Sequence, residues 1–190
     1  MDNETIIIFG RSPFINEIRD YIPRLINNFH TVGINQFYQS FNTEYTAFCD
    51  LSKPSNLPKI TGKLLMSTFA NPYWVKYKNK EVFEIVHNRF EFSEEPHKLN
   101  YFFHTPSVVL NWAYLKGFKK AILAGIDLIP NTGHFDNPNF MPDWSNDNIK
   151  LAKEHLEKVC AKYLDLYTLN PNSIINLPYL NVNELVKEGN

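Results

Sequence analysis

The sequence predicts an α/β fold built on an open, mostly parallel sheet, and three observations carry that prediction. Short continuous apolar runs recur along the chain, Ile6-Ile7-Ile8-Phe9 and Ala121-Ile122-Leu123-Ala124 being the purest. That is the pattern of strands buried on both faces. Stretches with apolar residues at three- and four-residue steps alternate with these runs, as helices packed on a sheet require. The runs also end in Gly, Asn or Asp: Gly10, Asn35 and Asp50 in succession, then Gly125 and Asp127. In an open parallel sheet those ends share the edge where ligands bind.

The first strand is Ile6 to Phe9, closed by Gly10-Arg11-Ser12-Pro13. A helical pattern follows from Ile15 to Ile26, with Pro23 placed to break or kink it. The turn between them offers N–H groups at a helix start, where anions sit well. Its single glycine gives neither a dinucleotide fingerprint nor a phosphate loop, and a plain strand-to-helix connection explains it equally. Phe29 to Ile34 reads as the second strand and Tyr45 to Cys49 as the third. Leu51 to Pro58 is loop by composition. Lys63 to Thr68 is a fourth strand. Asn71 to Lys80 is aromatic and basic, either a solvated hairpin or a flap over an anionic ligand. Glu81 to Phe92 alternates and predicts one or two strands of an antiparallel insertion.

The most legible stretch is Asn100 to Asp127. Thr105 is placed as an N-cap with Pro106 at the first helical position. Val109, Trp112, Ala113 and Lys116 keep helical spacing, and Gly117 stops the helix. The strand Ala121 to Ala124 then delivers Gly125 and Asp127 to the ligand edge. From Leu128 to about Ser145 there is no periodicity. A loop of this length with Phe135, Phe140, Met141 and Trp144 predicts an ordered lid. A helix from about Ser145 to Lys162 buries Ile149, Ala152, His155, Leu156 and Val159. The last strand is Tyr163 to Tyr167. Asn170-Pro171-Asn172-Ser173 predicts a turn opening a short helix, and the tail after Leu180 a short surface helix.

A chain of 190 residues suits a single domain over 1–190 with a core large enough to fold without staples. Lys plus Arg (19) nearly balances Asp plus Glu (20), and no basic stripe marks a nucleic-acid partner. Cys49 and Cys160 have neither metal spacing nor a disulfide framework and read as buried thiols of a reducing compartment. No signal peptide and no membrane span is apparent, so the expected location is cytoplasmic, with a peripheral membrane association compatible. Aromatics reach 15% of the chain, which suits a lid or an interface between copies, a possible homo-oligomer. The six histidines are scattered and no paired-aspartate motif appears, so no metal and no cofactor is expected. His104, near a strand end, and His134, in the lid, are the candidate acid–base groups. His155 sits on the core side of its helix and reads as structural.

Three stretches together resemble the small bacterial sialyltransferase family: Phe9 to Phe14 with Gly33-Ile34-Asn35-Gln36-Phe37, His104-Thr105 through Gly117-Phe118 to Ala124-Gly125-Ile126-Asp127, and Asn170 to Ser173. The likeness runs in the same order from Ile6 to about Leu177. A related domain of motility-accessory glycosyltransferases and pterin pyrophosphokinases has a similar central motif. The resemblance implies a Rossmann-like domain, a variant of the glycosyltransferase A fold. It implies a nucleotide-activated sugar donor, CMP-sialate favoured, and an oligosaccharide acceptor. Gly10, Arg11, Ser12 and Asn35 would hold the donor phosphate, with His104-Thr105 at the helix start. Gly125 and Asp127 would contact the nucleoside, and Asn172 and Ser173 would close the donor site. Asp50 stands where the family has Asn; a carboxylate repels phosphate, so a hydroxyl is its better partner. The family's lid His is replaced by the segment Pro142-Asp143-Trp144-Ser145, and its tyrosines by Leu128, Ile129 and Pro130. That leaves His134 or Asp143 as the catalytic base. The alternatives are a nucleotide-sugar binding protein that has lost turnover, and diphosphate transfer to a pterin-like substrate, which would need a metal.

Overall fold

Eight strands, every hydrogen-bonded pair parallel, form the sheet in a computed structural model, in the order β6-β5-β4-β3-β2-β1-β7-β8. The structure describes residues 3–49, 60–68, 77–88, 90–102, 104–139 and 145–188. The strands are β1 (Thr5–Phe9), β2 (His30–Ile34), β3 (Tyr45–Phe48), β4 (Lys63–Ser67), β5 (Lys80–Val86), β6 (Lys98–Asn100), β7 (Lys120–Ala124) and β8 (Asp165–Thr168). The helices are α1 (Ile22–Asn28), α2 (Thr105–Leu115), α3 (Asn146–Lys158) and α4 (Val182–Glu188). The fold is α/β and Rossmann-like.

Alternation along β1 builds two cores at once. Ile6 and Ile8 point to the face covered by Val108, Val109, Trp112 and Ala113 of α2 and Leu156 of α3. Ile7 and Phe9 point to the opposite face, covered by Ile22 and Leu25 of α1 and Val182, Leu185 and Val186 of α4. Ile6 to Phe9 are all fully buried, which is why this run carries no polar residue. The strand order then makes the site. From β1 the chain lays strands outward to β6, and α2 crosses back so that β7 pairs with the other side of β1. The order therefore reverses between β1 and β7, the place where open α/β sheets leave a crevice at their carboxyl edge.

Four local expectations are corrected. The segment after Ser12 is a four-residue 3-10 turn, Pro13–Asn16, and α1 begins only at Ile22, with Pro23 in its first turn. Pro23 thus starts the helix, where its missing N–H is harmless, instead of interrupting one. Residues 80–86 and 98–100 are not an antiparallel insertion; β5 and β6 extend the parallel sheet. The tail helix α4 is anchored in the second core by Val182, Leu185 and Val186. Asn170 to Ser173 forms a turn with no helix after it. Gly117 ends α2 at φ +89° as its position predicts, and both cysteines are buried thiols outside any disulfide. No helix among the described residues is long and apolar enough to cross a membrane.

Candidate functional site

The carboxyl ends of four adjacent strands, β2, β1, β7 and β8, lie side by side at the point where the strand order reverses. Gly10 N–H donates to the Ala124 carbonyl (2.7 Å) and Ser12 N–H to the Gly125 carbonyl (3.0 Å), so the two loops continue the ladder past the strands. A Cβ on Gly10 would lie 2.2 Å from the Gly125 carbonyl oxygen; this close approach requires glycine. Gly125 turns away at φ +70°. These bonds consume two of the amides that the sequence offered to an anion, and the short 3-10 turn after Ser12 presents no helix start.

Asp127 follows β7 at this edge. It is 2% exposed, accepts a hydrogen bond from the Ser12 hydroxyl on Oδ2, and its Oδ1 has no partner among the described residues. Burial pushes its carboxyl above the usual range, against the opposing hydrogen bonds of Ser12 and Asn170; Glu17 adds to the rise. The segment after β8 locks onto the same place. Ile174 N–H donates to the Asp127 carbonyl (3.3 Å), and the Asn170 side chain accepts from the Asn172 N–H (2.9 Å). Leu128, directly after Asp127, is left-handed at φ +54°, as is Asn35 after β2. Asn tolerates this; for Leu it costs roughly 1–2 kcal/mol, and such strain gathers at functional sites. Asn35 Oδ1 is buried, with no hydrogen-bond partner among the described residues.

Arg11 bridges three segments. Its guanidinium forks onto both oxygens of Asp136 (2.7 and 2.9 Å) and donates to Gln36 Oε1 beyond β2. Its carbonyl accepts from Phe135 N–H (2.9 Å), while the Phe135 ring packs against Phe37 and Phe41. The first part of the predicted lid is thus fastened over β1 and β2. His134 sits in a tight turn closed by reciprocal backbone bonds with Asn137. Burial, with the neighbouring Arg11 charge, lowers its pKa to about 4 against the pull of Asp136. Its imidazole is neutral at physiological pH, as a proton acceptor must be.

The structure therefore gathers Gly10, Arg11, Ser12, Asn35, Gly125, Asp127, His134 and Ser173, the last within 3.5 Å of the Asp127 carbonyl. Asn172 is exposed on the turn beside them. Asp50, Asp143 and most of the Asn71–Lys80 stretch lie outside the described residues. His104 and Thr105 stand at the start of α2. His104, not Thr105, is the N-cap of α2: its Nδ1 accepts from Ser107 N–H (3.2 Å). It is 2% exposed, and its ring meets His155 at 5.8 Å. Neither His104 nor Thr105 hydrogen-bonds to the Ser12–Asp127 pair. His155 is buried as predicted, with Nδ1 3.4 Å from Cys160 Sγ, and burial raises the Cys160 thiol well above its ordinary value. Among the described residues no group of three or more acidic, His or Cys side chains forms a metal site. Sequence reasoning passed over Gln36, Asp136 and Asn170 as site residues. Asn170 follows a parallel strand just as Asn35 does, and the same rule would have found it.

No family model matches this sequence, and no curated protein matches it. Among solved structures, the MAf glycosyltransferase from Magnetospirillum magneticum AMB-1 is similar, with a TM-score of 0.65 and 13% identity over 95% of this chain. The likeness covers 34% of that chain, so the present sequence spans about a third of that protein's length. What the two share at this identity is the fold.

Proposed function

We propose that this chain is a glycosyltransferase domain that uses a nucleotide-activated sugar, with a CMP-linked donor favoured and no metal required. The observation that carries the reading is Asp127: a buried carboxyl with one satisfied and one open oxygen, at the point where the strand order reverses. Such an oxygen accepts N–H or O–H donors and repels phosphate, so a base amine or ribose hydroxyl is its complement. The fold likeness to a glycosyltransferase supports the reaction class, and the absence of a paired-aspartate motif supports metal independence.

In this reading the donor phosphate approaches Arg11, exchanging places with Asp136, and Asn35 orients it. His134 takes the proton from the acceptor hydroxyl. The acceptor oxygen bonds to the anomeric carbon, the anomeric C–O bond to phosphate breaks, and the nucleotide leaves with the electron pair. Asp143 is the alternative base. The replacement of the resembling family's lid His by the Pro142–Ser145 segment favours a second reading, a protein that binds a nucleotide sugar without turning it over.

Thermal unfolding with CMP, UMP, AMP and GMP, with and without magnesium, tests the donor. A ligand at a hundred times its dissociation constant stabilises by about 2.7 kcal/mol. CMP should stabilise the wild type without metal and fail to stabilise Asp127→Ala. Stabilisation by none of the four would remove the reading. With a CMP-sugar and an acceptor, His134→Ala or Asp143→Asn should lower the rate about a hundredfold. Full rate in both would sink the mechanism, and binding without product would favour the second reading.

A further inference from the structure

A cavity of about 520 Å³ opens at the carboxyl end of β8 and reaches Asn170 and Ser173, next to Asp127. After β8 the chain turns out through residues 171–177 and returns to pair with the outer edge of β8. Thr168 N–H donates to the Pro178 carbonyl (3.0 Å), and Leu180 N–H to the Thr168 carbonyl (2.9 Å). The far side of the loop is tied to α3, where Asn176 N–H donates to Glu157 Oε1. The cavity lies inside this frame. Its lining includes Thr168 and Asn170 of the strand end, Lys153 and Glu157 of α3, and Asn176 and Tyr179 of the returning loop.

Three features of the lining point to one class of ligand. It carries one cation and one carboxylate, so it has no excess charge to draw an anion, and Lys153 stands 3.8 Å from Glu157. Its polar groups include donors and acceptors, the amides of Asn170 and Asn176, the Thr168 hydroxyl and both charged heads, which suits a neutral molecule bearing many hydroxyls. Tyr179 leaves 47% of its surface exposed at the rim, one of three large hydrophobic residues so exposed among those described. A ring held open in this way offers a flat apolar face with a polar tip, the complement of a pyranose. The volume lies in the usual range of small-molecule sites, roughly 300–1,000 Å³.

We propose that this cavity is a saccharide subsite, and that it holds the sugar of the acceptor. The acceptor role rests on the glycosyltransferase reading; the saccharide site does not. Asn170 joins the two places: it lines the cavity, is 4% exposed, and its side chain bonds toward Asp127. A glycan seated against Tyr179 would have one end directed at the donor site.

The test is an amide chemical-shift titration of the isotope-labelled chain with lactose, N-acetyllactosamine and cellobiose at millimolar concentration, without nucleotide. Saturable shifts at Lys153, Asn176 and Tyr179 are expected from at least one of the three. Tyr179→Ala should weaken that binding tenfold or more. The Tyr179 ring is at the rim and the backbone of residues 178–180 makes the ladder, so the variant should retain the fold, checked by an unchanged spectrum elsewhere. Lys153→Met, which keeps the aliphatic stem, gives a second, independent loss. No shift with any of the three sugars, equal binding by wild type and both variants, or shifts at these residues with CMP in place of sugar would overturn the proposal. Saccharide shifts without any stabilisation by nucleotides would remove the transferase reading and leave the saccharide site. Nucleotide stabilisation without saccharide shifts would remove the site alone.

Discussion

At the scale of single residues, the buried histidines make the sharpest forecast. His104 is lowered to about 3 by burial and by the facing His155, and His155 is lowered to about 4 by burial. Both depart downward from 6.5, so the folded state holds them neutral while the unfolded chain would protonate them. Their neutral packing is without penalty above about pH 6.5; stability is lost as the pH falls from there toward the folded values. Each proton taken up only by the unfolded chain costs about 1.4 kcal/mol per pH unit. His104→Asn keeps an N-capping oxygen and deletes the titration, so its stability between pH 7 and 5 should fall less steeply than that of the wild type. His104→Ala also loses the cap, about 1 kcal/mol at pH 7. Urea unfolding across that range decides it, and parallel slopes for wild type and His104→Asn would mean that His104 does not resist protonation in the fold.

Individual elements depend on close backbone contact more than on propensity. Gly10 and Gly117 look alike in the sequence, each a lone glycine at the predicted end of an element. In the fold they differ. A Cβ on Gly10 meets the Gly125 carbonyl at 2.2 Å, while one on Gly117 meets nothing, although φ is +89° there. Gly10→Ala should therefore cost about 3 kcal/mol by forcing β1 and β7 apart, and Gly117→Ala about 1 kcal/mol of left-handed strain. Denaturant midpoints for the two variants test this; equal losses would show that the β1 and β7 loops can separate cheaply. The same contact explains why the site's first loop was only half legible. Gly10 and Asn35 marked strand ends correctly, but which amides remained for a ligand depended on β7 lying alongside β1.

Across the whole molecule, one carboxylate ties β4 and β5 to the crossover helix, in addition to the apolar packing there. Glu81 of β5 accepts from Lys63 of β4 (3.0 Å), from Lys116 at the end of α2 (2.9 Å) and from Trp112 Nε1 (3.1 Å). Burial pushes this carboxyl up, yet the three donors outweigh burial and hold it below its ordinary 4.5. Its contribution is thus present above that value and disappears as the pH falls through the lowered one. Both lysines are partly exposed, so the loss in Glu81→Gln should be modest, about 1–2 kcal/mol at pH 7, and should vanish in acid. A thermal midpoint for Glu81→Gln equal to the wild type at pH 7 would count against the hub.

What the sequence determined by itself was the α/β class and the identity of most strands, because a strand buried on both faces has to be written as an unbroken apolar run. It also marked the ligand edge, since the residues that leave such strands are turn-formers with polar side chains. The tertiary structure decided the rest. Period-two patterning in 81–92 cannot distinguish antiparallel from parallel neighbours, because pairing direction depends on the connections. The His104 side chain became a helix cap facing His155, a partner 51 positions away in sequence, and Arg11 found Asp136 and Gln36 across loops no local pattern relates. Above all, the reversal of strand order between β1 and β7 placed Ser12 on Asp127 and Asn170 beside it. Long-range pairing of that kind is set by which strand α2 carries the chain back to, and no window of sequence contains it.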